Sequence, residues 1–546
     1  MKTLTIIVQN FIKQNKGNTS VYIIFVILLY VILNIVVPRV FSELFDKKVI
    51  QQQFNKFILI FCLVIFLLFL YNIFFLLVDR SLSTLIPKFN EYVNNYIYKI
   101  VLKNYNENYQ ELMLGKMMTN IILLPALMKD LFIEFVEWHF PSIVVLFVIA
   151  FYFLYLNWRI GLICLGSLGV SALFFVKNIR RCYNLSSQRH VMYEKQNEYT
   201  HDRLNNLLNI LSSAQNKKEL EEREKIMRQY SQVYRDTMLC NGKVSSGLLA
   251  INTCFMIALL GLTIYLFRKK RINIKIFITI FVISLMYLSN IITISTNLPT
   301  IMHYLGYFKS AENFLKNLNS MEKTDNPNGN LKADTLIVGD VVCKNVNYRF
   351  KNGNKILDNL NATFKKGRIN GIIGSSGRGK TTLVNLLLRL YMIDSGVITI
   401  GGVNIDNITT DALRKNISLV TQRPKLFNES LYSNIRYGNN ISKKEIHKSV
   451  NEYGLKKIYD GIDFNRNVGV NGDELSGGQK QVAILLRIIA KKSNIIIMDE
   501  PTSSIDIHHK KYIINLIKKL RTNGKTVIII SHDPELQKIY ENKIEL

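Results

Sequence analysis

Six stretches of the chain carry almost no polar residue: 20–41, 57–78, 138–156, 160–176, 246–267 and 276–292. A helix on a soluble core shows a polar face every three to four residues, and these runs lack one. About 20 residues at ~1.5 Å per residue cover the ~30 Å hydrocarbon core of a bilayer, so each run predicts a membrane-crossing helix. Only Asn157, Trp158 and Arg159 separate the third and fourth runs, which predicts a tight hairpin. Segments 92–109 and 193–234 mix apolar and charged residues at helical intervals without Pro or Gly clusters, so they predict helices continuing past the membrane. A partner-docking role and a merely solvated hairpin fit their composition equally well. The polar, turn-rich stretch 323–336 reads as a linker, and from residue 337 onward short strand-like apolar runs alternate with helical ones. The expected division is 1–322, an all-α six-helix transmembrane domain with two long loops; 323–336, a linker; and 337–546, a soluble α/β domain.

Composition changes the picture in two respects. Hydrophobic residues make up 49% of 546, and mean hydropathy is +0.13, an excess concentrated before residue 322. The formal charge of +29 would suit a nucleic-acid binder, but the cations are spread over loops and helices rather than along one stripe. Arg80, Lys88, Lys99, Lys103, Lys116 and Lys129 follow the second run, and a denser set occupies 177–243 after the fourth. Positive-inside placement accounts for this pattern, puts both termini and the soluble domain in the cytoplasm, and leaves no nucleic-acid partner to expect. One loop, Arg268 to Arg271 with Lys275, falls on the opposite side. Six cysteines show neither CxxC nor Cys/His spacing, so free structural thiols in a reducing compartment are expected, with no metal site among them. No cleavage site follows a short apolar core near Lys2, Lys13 and Lys16, so no removable signal peptide is expected.

The chemistry lies in the soluble part. Gly374, Ser375, Ser376, Gly377, Arg378, Gly379, Lys380 and Thr381 match GxxxxGK[ST], between an apolar strand-like run at 369–373 and a helix-like one opening at Thr382. Glycines allow tight turns that aim successive N–H groups at phosphate oxygens; Lys380 reaches the β- and γ-phosphates, Thr381 ligates Mg²⁺, and Thr382 beside it is a further ATP-binding candidate. In Ile495-Ile496-Ile497-Met498-Asp499-Glu500, a buried strand ends in two carboxylates. Asp499 is placed to hold Mg²⁺ through water and Glu500 to orient the attacking water as general base. ATP and Mg²⁺ are the ligands this pairing calls for.

Leu475-Ser476-Gly477-Gly478-Gln479 resembles the signature of ATP-binding cassette (ABC) proteins. The resemblance covers 337–546 and extends less specifically over the six runs, whose order and long loops are similar to half-size, multidrug-type exporters of subfamily B; Gly115 and 203–219 resemble intracellular loops of that fold. It implies that Gln422 forms the Q-loop and helps hold Mg²⁺, that Asp506 lies in the D-loop, that His532 is the switch histidine, and that Phe350 stacks on adenine. It also implies that Ser476, Gly477, Gly478 and Gln479 bind the ATP held by a partner chain's P-loop, giving an ATP-hydrolysing exporter built as a dimer, more simply a homodimer than a heterodimer. The chain departs from the pattern at Arg378, at Val482, and at Val470, where Glu is usual in a loop coupling cassette to membrane. An ATP-gated channel or a non-transporting regulatory subunit on the same scaffold is the alternative. Asn34, Asn72 and Asn290 among Phe, Tyr and Ile suit an amphipathic or lipid-like cargo, and suit lipid-facing and helix-packing positions equally.

Overall fold

The computed structural model describes residues 2–45, 54–103, 114–320, 337–350, 353, 355–375, 377–422, 424–456, 463–491, 493–503 and 507–546. The linker at 323–336 therefore lies outside the described residues, as do Ser376 and Asp506. Two compact units are distinguished, a helical one ending at Ser320 and a sheet-containing one that follows it.

In the helical unit, α1 (Lys2–Gln14) precedes α2 (Lys16–Val31), which continues through a π-helical turn into α3 (Val37–Glu43). Then come α4 (Phe54–Lys103), α5 (Leu114–Ile133), a second π turn (Glu134–His139), α6 (Phe140–Leu156), α7 (Trp158–Asn205), a short α8 (Leu207–Ser212), α9 (Asn216–Arg268) and α10 (Ile274–Ser320). Six of the described stretches are long and apolar enough to span a bilayer: Lys16–Glu43, Phe54–Ile100, Leu123–Leu156, Trp158–Asn205, Asn216–Arg268 and Ile274–Phe308. At 48 residues, α7 is about 72 Å long, more than twice the hydrocarbon thickness. The charged segments flanking α8 are thus continuations of the membrane helices, as their periodicity predicts.

The hairpin between the third and fourth spans is as tight as expected. Asn157 adopts an extended backbone, and its side chain accepts a hydrogen bond from the Arg159 N–H at 3.1 Å, capping α7. Gly161 is required there, because a Cβ would meet the Leu154 backbone at 2.5 Å. Ile7 and Phe11, one turn apart on α1, are both buried, and the Phe11 ring packs 5.0 Å from Phe89 and 5.9 Å from Phe132. The periodicity of α1 is too short to predict a span, and this helix went unread in the sequence.

One expectation is corrected. Cys182 on α7 and Cys240 on α9 form a disulfide, with Cα atoms 5.5 Å apart, rather than remaining free thiols. The two helices run antiparallel and pack along much of their length, so residues 58 apart in sequence face each other. Cys62, Cys164, Cys254 and Cys343 are free.

The second unit contains two sheets. β1 (Val341–Arg349), β2 (Lys355–Phe364), β4 (Ser395–Ile400) and β5 (Val403–Asn404) form an antiparallel sheet in the order β2-β1-β4-β5. β3 (Ile369–Ile373), β6 (Ile417–Val420), β7 (Ile495–Asp499), β8 (Thr526–Ile530) and β9 (Asn542–Glu545) form a parallel sheet in the order β6-β7-β8-β3-β9. Its strands are apolar on both faces: Ile497, Met498, Val527, Ile528 and Ile529 are fully buried between helices, as a covered parallel sheet demands. The helices that matter for the site are α11 (Lys380–Leu387), α12 (Gly477–Lys491) and α13 (Ile507–Thr522).

Candidate functional site

Ligands of open α/β folds collect at the carboxyl edge of the parallel strands, where loops leave the sheet. The register sets that edge: Ile372 of β3 lies beside Ile530 of β8, Ile530 beside Asp499 of β7, and Met498 beside Val420 of β6. Among the described residues, every chemical candidate except the signature and Phe350 leaves the sheet here. Gly374 to Gly379 follow β3, Asp499 and Glu500 end β7, Ser531 and His532 follow β8, and exposed Gln422 lies two residues beyond β6.

The loop after β3 turns through Gly377 and Gly379, with φ of +83° and +90°, and enters α11. A Cβ on Gly379 would lie 2.7 Å from Ile356, so backbone conformation and space both require glycine there. Ser375 and Arg378 are exposed at the loop's outer side, and the Arg378 Nε donates to Ser375 Oγ at 3.4 Å. The Lys380 ammonium donates to the carbonyls of Gly374 (2.7 Å) and Ser375 (3.0 Å), so it is held at the mouth of the loop. Its Nζ is also 3.4 Å from His532 Nε2. Thr382, two positions beyond Lys380, is buried against the core.

Next to it, the Thr381 hydroxyl donates to Asp499 Oδ2 at 3.3 Å. Burial, joined by the charge of Glu500, pushes the Asp499 carboxyl above the usual carboxylate range, against the pull of Thr381 and Lys380. A hard cation beside these two oxygens would reverse that shift, so the donor set fits Mg²⁺, which favours one or two protein oxygens plus phosphate and water. Exposed Gln422 could contribute from the neighbouring strand end.

Glu500 is held more firmly than the motif alone reveals. Its φ of +49° is a left-handed conformation, costly for a non-glycine residue, and its N–H donates to the Ile530 carbonyl at 2.8 Å. Oε2 accepts from Ser531 Oγ at 3.1 Å, and Oε1 accepts from the His532 N–H at 3.1 Å. Asp533 anchors the same turn, accepting from Thr502 (3.1 Å) and Lys510 (2.8 Å). Ser531, in hydrogen-bond contact with the Glu500 carboxylate, is the site residue that sequence reasoning missed; its place between a buried strand and His532 was the available signal.

The signature opens α12. Gln479 N–H donates to Ser476 Oγ at 3.3 Å, and Ser476 N–H donates to Gln479 Oε1 at 2.9 Å, a reciprocal capping box. The box fixes the first turn and leaves Gly477 and Gly478 without side chains over it. Phe350, just past β1, is half-buried, its ring edge-on to Tyr348 (5.4 Å) and Tyr391 (6.1 Å). Tyr348 is 1% exposed and stacks on Tyr391 inside the core, so of this pair only Phe350 offers accessible ring surface.

Comparison with known families matches residues 357–503 to the ABC transporter family and residues 20–292, half of the chain, to the ABC transporter transmembrane region. The chain belongs to the ABC transporters. Among curated relatives, the ATP-dependent lipid A-core flippase of Legionella pneumophila (strain Lens) is 36% identical over 210 residues, 38% of this chain and 35% of that protein. The mitochondrial iron–sulfur clusters transporter ATM1 of Debaryomyces hansenii is 34% identical over 206 residues, 37% of this chain and 30% of that one. The matched stretch is thus about a third of each relative's own length. The structure of a bacterial Atm1-family ABC exporter with ATP bound superposes with a TM-score of 0.81 at 19% identity, covering 97% of this chain and 93% of that one. That likeness establishes the ABC exporter fold, six helices followed by the cassette.

Proposed function

We propose that this ABC transporter chain is an ATP-driven exporter that works as a pair of half-transporters, with cassette and both termini in the cytoplasm. The observation that carries the reading is the placement of Glu500: its carboxylate is fixed by Ser531 and the His532 N–H, next to the Lys380–His532 contact and the Thr381–Asp499 pair. In this arrangement the glycine loop and Lys380 hold the ATP phosphates, and Phe350 packs against the adenine. Mg²⁺, held by Thr381 and Asp499 with help from Gln422, would offset the charge building on the phosphoryl group. Glu500 accepts the proton of the attacking water as its oxygen bonds to the γ-phosphorus, and the bond to ADP breaks. His532 steadies the γ-phosphate. One P-loop and one signature per chain support pairing. Ser476 and the N–H groups of Gly477, Gly478 and Gln479, at the start of α12, would meet the γ-phosphate bound by the partner. Two copies of this chain are the simplest assembly.

The cargo is proposed to be amphipathic or lipid-like. The apolar runs contain no Asp or Glu deep within them, and one relative is named for flipping lipid A-core. The test is the full-length protein in liposomes, assayed for hydrolysis while amphiphiles of graded chain length are added. Stimulated hydrolysis with matching flux, both lost in Glu500→Gln, is expected. Ion current without stoichiometric hydrolysis would replace this reading with the gated-channel one.

A further inference from the structure

The apolar parts of α7 and α9 stop at the same level. On α7 the first cation beyond the apolar run is Lys177, followed by Arg180 and Arg181; on α9 the run is bounded by Lys243. The Cys182–Cys240 bridge ties the two helices together at that level. A cavity of about 520 Å³ opens there, lined by Phe174 and Val244 on the apolar side and by Lys177, Arg181 and Lys243 on the polar side, with Cys240 in its wall. A neighbouring cavity of about 450 Å³ shares Lys177 and Arg181 and adds Arg180.

Among the described residues, none of these four cations forms an ion pair. The acid in the larger cavity's wall, Asp236, lies 3.9 Å from Arg235 instead. Positive-inside placement explains cations at a membrane boundary, and such side chains ordinarily spread into water. It does not explain why three of them share one cavity whose other wall is apolar. Like charges gathered this way repel unless an anion sits among them, and the phosphate layer of the bilayer lies at this depth.

We propose that this cavity is a binding site for an anionic glycerophospholipid, the phosphate meeting Lys177, Arg181 and Lys243 and an acyl chain lying along Phe174 and Val244. Basic pockets between membrane helices hold acidic head groups in this way. The disulfide pre-arranges the site by fixing the spacing of the two helices that supply its cations. The inference does not depend on the transport reading, because binding is scored without nucleotide.

The test is native mass spectrometry of the full-length protein, nucleotide-free, titrated with phosphatidylglycerol or phosphatidylcholine, with and without excess inorganic phosphate. Saturable preference for phosphatidylglycerol, undisturbed by phosphate, is expected. At about fivefold per cation, the triple variant Lys177→Ala, Arg181→Ala, Lys243→Ala should bind it roughly 100-fold more weakly. Asp236→Asn should bind it several-fold more tightly, a gain that misfolding cannot mimic. Wild-type affinity in the triple variant overturns the proposal, as does equal binding of phosphatidylcholine. Displacement by inorganic phosphate overturns it too, leaving a simple anion site.

Discussion

The two units of this chain handle polarity in opposite ways. In the cassette, buried polar groups bond across long sequence distances. Asn370, fully buried, accepts from the Asn542 side chain (2.8 Å) and donates to the Val527 carbonyl (3.4 Å), 172 and 157 positions away, besides bonding the nearer Lys365 and Arg368. In the helical unit most hydroxyls turn back on their own helix: Thr263 donates to Leu259, Ser284 to Ile280 and Thr279 to Lys275, each four residues away. Large apolar side chains such as Leu76 (66% exposed) and Leu173 (74%) meanwhile face outward. Where lipid surrounds a helix, burial has no price list of its own: outward apolar residues cost nothing, and polar groups are satisfied locally. Where water surrounds a domain, apolar groups go inward and polar ones must be matched by specific partners.

The sharpest test of this contrast is in the proposed catalytic network. Glu500→Gln should lower hydrolysis by roughly 10²–10⁴-fold while nucleotide binding survives, because the shape of the side chain is kept and the base is lost. Near-normal turnover would move the base elsewhere. Ser531→Ala should lower kcat about tenfold with KM little changed, since it removes one hydrogen bond to a charged group without touching nucleotide. Turnover rescued by Ser531→Thr would separate positioning from a general packing defect.

Two asparagines compare the units directly. Asn370→Leu in the cassette orphans several backbone groups and should cost about 3 kcal/mol in denaturant unfolding. Asn252→Leu on α9, which loses a 2.8 Å bond to Ser171, should cost only about 0.6 kcal/mol in detergent unfolding. Equal costs would break the contrast.

A further expected effect appears only in acid. The hydrogen bond from Arg521, helped by the Ile369 N–H and Arg368, holds the Glu541 carboxyl at about 2 against an ordinary 4.5. A carboxyl depressed on folding adds stability that is complete above its ordinary value, so this contribution should fade as pH falls from 4.5 towards 2. Glu541→Gln should flatten the pH dependence of unfolding in that window, and an unchanged slope would remove Glu541 from the account.

What the sequence made legible follows the same division. Phosphate binding demands glycines and a lysine at set spacing, so Gly374 to Thr381 stand out in the sequence as its candidates, and the six spans could be read because lipid demands apolar length. The left-handed backbone of Glu500 and the hydroxyl of Ser531 beneath its carboxylate depend on how β7 and β8 align, which no local pattern encodes. The Cys182–Cys240 pairing depends on the antiparallel register of two helices, and spacing along the chain says nothing about it. Pro87, Pro125 and Pro299 sit inside continuous helices, where local rules would have placed breaks.

That bridge also changes the mechanics of the helix pair. Two packed rods joined only by side-chain contacts can slip lengthwise past each other, and a push at one end is partly spent in shear. A covalent tie between α7 and α9, placed well along both rods, blocks that slip and turns the pair into one beam. A displacement applied near α8 would then reach the apolar segments as tilt of the whole beam rather than as sliding of one rod against the other.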